Sequence, residues 1–276
     1  TLSIICLCSF CLFILRELKT KNPIVDLRIF ANRNFLICTI LVFIWGIIIF
    51  ATQYILPVFI ARVRGLDGTT IASMVYIMGA AQVASGFLAL FFFKIFNRRT
   101  VAFIGFIMLA TGTWLQGFMI SEVGLNEIIW PQIIRGLSAQ LCFLPLVLLS
   151  IGYLPANKIK DGSGLYSLMN RLGAAIGIAA SNTLFELKIT ENYLEISNLT
   201  SKALNHSQLF LIKLNNLIPK YLSNSPEKLK IASEILYKIG IEEASAMAFN
   251  QIMLTMGIIA LVASPLIFWV KGLKKE

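Results

Sequence analysis

Charge is scarce in this chain: only 14% of its 276 residues are Asp, Glu, Lys or Arg, where an average soluble domain carries about 25%. Acids are scarcer than bases, 14 against 24, which leaves a formal net charge of +10. No Asp or Glu lies deep inside any of the long apolar runs. There is one histidine, His206, and it sits in a polar stretch. That leaves no imidazole inside the apolar segments to activate a nucleophile or to build a metal site. The five cysteines, Cys6, Cys8, Cys11, Cys38 and Cys142, all fall in apolar runs; the C-x-x-C spacing of Cys8 and Cys11 has no second such motif to pair with and no histidine nearby. They read as small apolar residues rather than as disulfides or metal ligands. No G-x-x-x-x-G-K-[ST] loop is present, so the chain does not encode nucleotide hydrolysis. These absences argue against an enzyme and against any metal or cofactor.

What is abundant is apolar residues, 57% of the chain. Several runs exceed the roughly 18 residues needed to cross a bilayer as a helix, which predicts an all-α polytopic membrane protein. The basic surplus then belongs to loops on the cytoplasmic side, and a nucleic-acid partner is not called for. Residues 1–15 are shorter than the roughly 20 residues of a span and lack the basic start and cleavage site of a signal peptide. They read as a truncated transmembrane linker helix that starts upstream. A basic linker follows at 16–33, then spans at about 34–60, 70–93, 101–120, 128–149, 163–184 and 246–270. One set of connections holds Arg16, Lys19, Lys21, Arg28 and Arg33, then Lys94, Arg98 and Arg99, then Lys158 and Lys160, then Lys271, Lys274 and Lys275. The opposite set of short loops holds only Arg62 and Arg64, so the first set is cytoplasmic.

The segment Glu186–Ser245 is thereby placed outside. Leu209, Leu211, Ile212, Leu214, Leu217 and Ile218, and the run Leu229–Ile239, have the spacing of amphipathic helices. Pro219 and Pro226 separate the two, which predicts a small extracytoplasmic helical cap or hairpin over about 186–245. Asn198-Leu-Thr and Asn205-His-Ser also fit a glycosylation pattern that is common by chance.

The stretch Trp130–Asn182 organises the rest. Two apolar segments flank a polar hinge, Pro155–Gly164, and each carries one arginine, Arg135 and Arg171. A lone charge at the bilayer centre costs about 2.5–3.5 kcal/mol on insertion scales, so neither arginine is expected to face lipid without a partner. Arg135, about two turns from the outer end of its span, is expected to pair with an acid outside this chain or to snorkel outward. Arg171, about two turns from the inner end, is expected to pair with lipid phosphate or with Asp161. Gly173, Ala174, Gly177 and Ala180 form a small face that admits close approach of another helix. Gln53, Tyr54, Gln82, Gln140, Asn170 and Asn182 are the candidates for a substrate pathway, with Gln116 as a further intramembrane amide; helix-gluing is the competing role of such amides. Pro57, Pro131 and Pro145 are expected to kink their helices, and Pro57 and Pro145 join the two arginines, Gly173 and Gly177 as structural or gating candidates. Trp45 and Trp114 read as lipid-facing or belt aromatics ahead of ligand-stacking ones.

Four phrases occur in order: Asn22-Pro-Ile-Val-Asp-Leu-Arg-Ile-Phe-Ala-Asn-Arg-Asn-Phe35, Tyr54-Ile-Leu-Pro57, Arg135-Gly-Leu-Ser-Ala-Gln-Leu-Cys-Phe-Leu-Pro145, and Ser163 to Gly177 with Arg171, Gly173 and Gly177. Together they resemble the major facilitator superfamily, in particular its fourteen-helix drug:proton antiporters of the EmrB/QacA type. The resemblance implies the C-terminal six-helix bundle of such a transporter, preceded by part of a linker helix. It implies a bacterial inner-membrane exporter of multiple drugs or other amphiphilic molecules, coupled to protons and working by alternating access. The partners it implies are the lipid bilayer, a small-molecule substrate, an N-terminal half carrying the proton-coupling acid, and a periplasmic membrane-fusion adaptor meeting the outer segment. Where the family has glycines in the fifth span, this chain has Ser138 and Gln140, which adds polar groups to the interior. A same-fold exporter of a siderophore, lipid or metabolite is the nearest alternative, and a truncated chain that transports nothing is the other.

Overall fold

The computed structural model of the chain describes residues 26–65, 67–119, 125–204 and 227–270, together with Ser9, Leu12, Arg16 and Glu17. The expected linker helix at 1–15 therefore lies almost wholly outside the described residues. So do His206, the run Leu209–Ile218, both Pro219 and Pro226, and the basic C-terminus.

Among the described residues there are six α-helices: α1 Arg33–Arg64, α2 Gly68–Ile95, α3 Arg98–Gln116, α4 Leu125–Ile151, α5 Ile159–Leu204 and α6 Glu227–Ala263. Short side chains set their ends. Asp26 accepts from the Arg28 N–H at 3.0 Å and opens a 3-10 turn, Leu27–Ala31. The Asn32 side chain caps α1 through the N–H groups of Asn34 and Phe35, as N-cap residues do. α1 stops at Gly65, whose φ of 56° is the left-handed conformation that only glycine adopts without strain. Asp67 then opens α2, accepting from the hydroxyls of Thr69 and Thr70. These bonds, that from Thr69 first, hold the Asp67 carboxyl below its ordinary range. Pro57 in α1, and Pro131 and Pro145 in α4, sit inside helices that continue through them.

Five of these helices, α1, α2, α4, α5 and α6, are long and apolar enough to cross a membrane by length and composition. α3 has 19 residues, about 28 Å at 1.5 Å per residue, and lies along α4 and α6. In the described parts of the segment expected as a helical cap or hairpin over 186–245, the helices are continuations of α5 and α6. α5 runs without a break for 46 residues, about 69 Å, more than twice the roughly 30 Å of a hydrocarbon core. Nothing in Phe185–Leu204 is Gly or Pro, so no residue interrupts the helix there. α6 likewise starts at Glu227 and continues straight into its apolar part. The two extensions pair as an antiparallel stalk. Asn192 Nδ2 donates to the Ala244 carbonyl at 3.3 Å, Tyr193 and Tyr237 meet edge-on at 5.3 Å, and Gly240 lies against the Tyr193 ring. At its other end α6 gives way to a 3-10 turn, Ser264–Trp269, where Pro265 has no N–H to continue the ladder.

α1 is the hub. It packs most extensively on α5 and also touches α4 and α6, while α4 holds α2 and α3. Lipid tails are as apolar as leucine, so close backbone approach rather than hydrophobic expulsion holds membrane helices together. The α1–α5 seam shows it. Gly173 lies against the Phe43 carbonyl, a Cβ on Gly177 would come within 2.5 Å of the Ile47 carbonyl, and one on Gly46 would come within 2.7 Å of the Asn170 carbonyl. α2 and α5 are the two least buried of the five apolar spans. Trp45, expected at the lipid, is instead core: it is buried and meets Phe143 with ring centroids 5.2 Å apart. Trp114 and Trp130 are exposed, as belt residues are.

Candidate functional site

The polar groups inside the bundle fall into two clusters. The first is built on Arg135, which is fully buried. Its Nη1 donates to Gln116 Oε1 at 2.5 Å and to Gln132 Oε1 at 3.0 Å, and its Nη2 donates to Thr52 Oγ1. One side chain thus joins α1, α3 and α4. Glycine at position 112 leaves room for the arginine stem, since a Cβ there would lie 2.7 Å from Arg135 Cγ. The expectation that Arg135 snorkels to water is corrected by its full burial; among the described residues its partners are neutral and all from its own bundle. The physical reason is that two amides and a hydroxyl, brought by neighbouring helices, meet the guanidinium where it stands. Ser138 donates to the Arg135 carbonyl at 2.7 Å, which accommodates one of the two polar replacements of family glycines.

The second cluster runs along the α1–α5 seam. Tyr54 donates to Asn182 Oδ1 at 3.1 Å, and two turns further along α1 Arg62 Nη1 meets Glu186 Oε1 at 2.9 Å. Three turns back along α5 from Asn182, Asn170 Oδ1 sits over Gly46, buried and without a hydrogen-bond partner among the described residues. Next to Gly46, Trp45 starts an aromatic row with Phe143 and Tyr166, and the Trp45 N–H is likewise buried without a partner there. Arg171 is exposed on α5, one residue from Asn170, and neither Asp161 nor any other acid joins it in the described ion pairs.

The six pathway candidates therefore do not converge. Tyr54 and Asn182 are in contact, and Asn170 shares their seam. Gln53 turns the other way, its Nε2 3.9 Å from Met78 Sδ on α2. Gln82 and Gln140 lie on the α2–α4 side, where the Gln140 N–H donates to Ser85 Oγ at 3.1 Å and Gly136 abuts Met78, Ala81 and Gln82. Sequence reasoning missed Thr52 and Gln132, the partners that hold Arg135. A polar residue in an apolar run was the available signal, but the helix pairing that selects them was not. Among the described residues no group of three metal-ligating side chains is present.

A sequence profile of the Major Facilitator Superfamily matches residues 2–178. The chain is 26% identical over 271 residues to the colistin resistance protein EmrB of Acinetobacter baumannii, a match covering 98% of this chain and 52% of that protein. It is 26% identical over 219 residues to the multidrug export protein EmrB of Escherichia coli K12, covering 78% and 42%. The fatty acid resistance protein FarB of Neisseria gonorrhoeae is 26% identical over 194 residues, covering 67% and 37%. The chain thus spans about half or less of the length of these relatives. In fold it is similar to a bacterial homolog of the human lysosomal transporter Spinster in an inward-facing, unoccupied conformation, with a TM-score of 0.54, 14% identity, and coverage of 90% of this chain and 51% of that one.

Proposed function

This chain belongs to the major facilitator superfamily, and on that premise we propose that it forms the C-terminal half of a proton-coupled exporter of amphiphilic small molecules in a bacterial inner membrane. It moves solutes rather than transforming them. The observation that carries the reading is the outward face of α5. Arg171 and Asn182 are exposed there within the apolar span, alongside the small residues Gly164, Ser167, Ala175 and Ala179. A cation at that depth is costly against lipid, and a small-residue face suits a helix. A second bundle packed on α5 and α2 satisfies both, and alternating access is then the rocking of one bundle against the other around a midplane cavity.

In this reading Tyr54, Asn170 and Asn182 line the substrate path from the α1–α5 side, and Gln53, Gln82 and Gln140 from the α2 side. The proton-binding carboxylate is supplied by the partner half. The amphiphilic substrate class is supported by the names of three relatives, which concern colistin, multiple drugs and fatty acids. The stalk of α5 and α6 is the natural contact for a periplasmic adaptor. The full-length carrier in proteoliposomes, given an imposed pH gradient, should move an amphiphilic cationic dye against its gradient and stop when a protonophore is added. Folded protein that moves neither dye nor fatty acid under that gradient would refute the reading.

A further inference from the structure

We propose that the Arg135 cluster is a binding site for a small inorganic anion of the halide class, which acts as an internal counterion to the bundle. Two independent observations carry it. First, Arg135 is fully buried, yet its side-chain partners, Gln116, Gln132 and Thr52, are all neutral, and none of the described ion pairs includes it. A buried charge is kept only where an opposite charge or an equivalent set of polar contacts compensates it. Second, the polar atoms left over are donors. Arg135 Nε and Gln116 Nε2 are buried and have no hydrogen-bond partner among the described residues. Because Gln116 turns its oxygen to the guanidinium, its amide nitrogen is available to a further acceptor. A water would satisfy donors but not the charge, whereas a halide satisfies both.

The size class follows from the packing. Gly112 closes on the arginine stem, and the three helices that carry the cluster are apolar and buried around it at positions such as Ile48, Leu109 and Ala139 of the same core. The Nε edge of the guanidinium and the Gln116 amide therefore suit a compact anion rather than the headgroup of a lipid or drug. Since Gln116 and Arg135 sit on α3 and α4, an anion held between them would link those two helices, and the bond from Arg135 to Thr52 extends the link to α1. The inference does not depend on what the carrier transports.

The test is thermal unfolding of the purified full-length carrier in sodium chloride, sodium bromide and sodium gluconate at equal ionic strength. Halide should raise the midpoint by a few degrees, increasing with concentration, as for any ligand that binds only the folded state. Arg135→Met, which removes the charge and keeps the bulk, should lose this response, and Arg135→Lys should keep it. If Arg135→Met does not fold, Gln116→Leu should serve, because it leaves the cation but removes one free donor and should weaken the halide effect. Equal midpoints in the three salts would overturn the proposal. So would a halide response that survives both Arg135→Met and Gln116→Leu, which would place the anion elsewhere.

Discussion

Lys158 Nζ lies 2.8 Å from Asp26 Oδ2, so the segment leading into the bundle is pinned to the turn between α4 and α5. Asp26 also caps the 3-10 turn that follows it. The Lys158 ammonium, together with the Arg28 N–H, holds the Asp26 carboxyl below its usual range in spite of desolvation acting in the other direction. A depressed carboxyl stabilises the fold above its unfolded pKa, and that contribution is lost as pH falls through the folded value. Amide protection factors over residues 27–32, taken against the intrinsic exchange rate at each pH, should therefore be high at neutral pH and fall under acid. Asp26→Asn should show the low protection already at neutral pH. Indistinguishable exchange in Asp26→Asn and the parent at pH 7 would show that the pair holds nothing.

Gly177→Leu should destabilise the bundle by about 1–3 kcal/mol, the usual cost of overpacking, because its Cβ would meet the Ile47 carbonyl at 2.5 Å. Gly79→Ala should be close to neutral in the same melting assay, since nothing lies within 4 Å of a Cβ there. Equal midpoints for the two variants would mean that α1 and α5 separate freely.

Arg171 separates a transport role from a structural one. If its charge meets the partner bundle during the cycle, Arg171→Gln should abolish transport at normal membrane abundance. Arg171→Lys should then keep part of the activity, since the charge remains while the planar guanidinium is lost. If the role is structural, both variants should fall in abundance and keep normal transport per molecule. Vesicle transport normalised to protein amount reads the difference, and normal specific transport by Arg171→Gln rules out the first role.

Removing 192–243 shortens the stalk while leaving the apolar parts of α5 and α6. Membrane insertion should be unchanged and export through an adaptor should drop several-fold. Unaltered drug resistance in cells carrying the shortened full-length protein would count against an adaptor contact.

The orientation is checked with single cysteines in a cysteine-free background. Lys158→Cys should resist an impermeant thiol reagent in intact spheroplasts, and Glu195→Cys on the exposed side of the stalk should react. Labelling of both would overturn the inside placement of the α4–α5 turn.

Helix formation was legible in the sequence because it depends on local properties. Apolar length sets the spans. The small face at Gly173 and Gly177 was legible for the same reason, since helical spacing alone puts both on one side. What lay beyond the sequence was which side faces what. Arg135 and Arg171 look alike in the sequence, each a single arginine two turns from a span end. Yet Arg135 is enclosed by Thr52, Gln116 and Gln132, and Arg171 stands exposed on α5. Pattern gives the rotation of a residue about its own helix, whereas burial depends on which other helices surround that position. Those pairings join residues as far apart as Thr52 and Arg135, so three-helix packing, and not any local signal, decided that one arginine belongs to the core and the other to a surface.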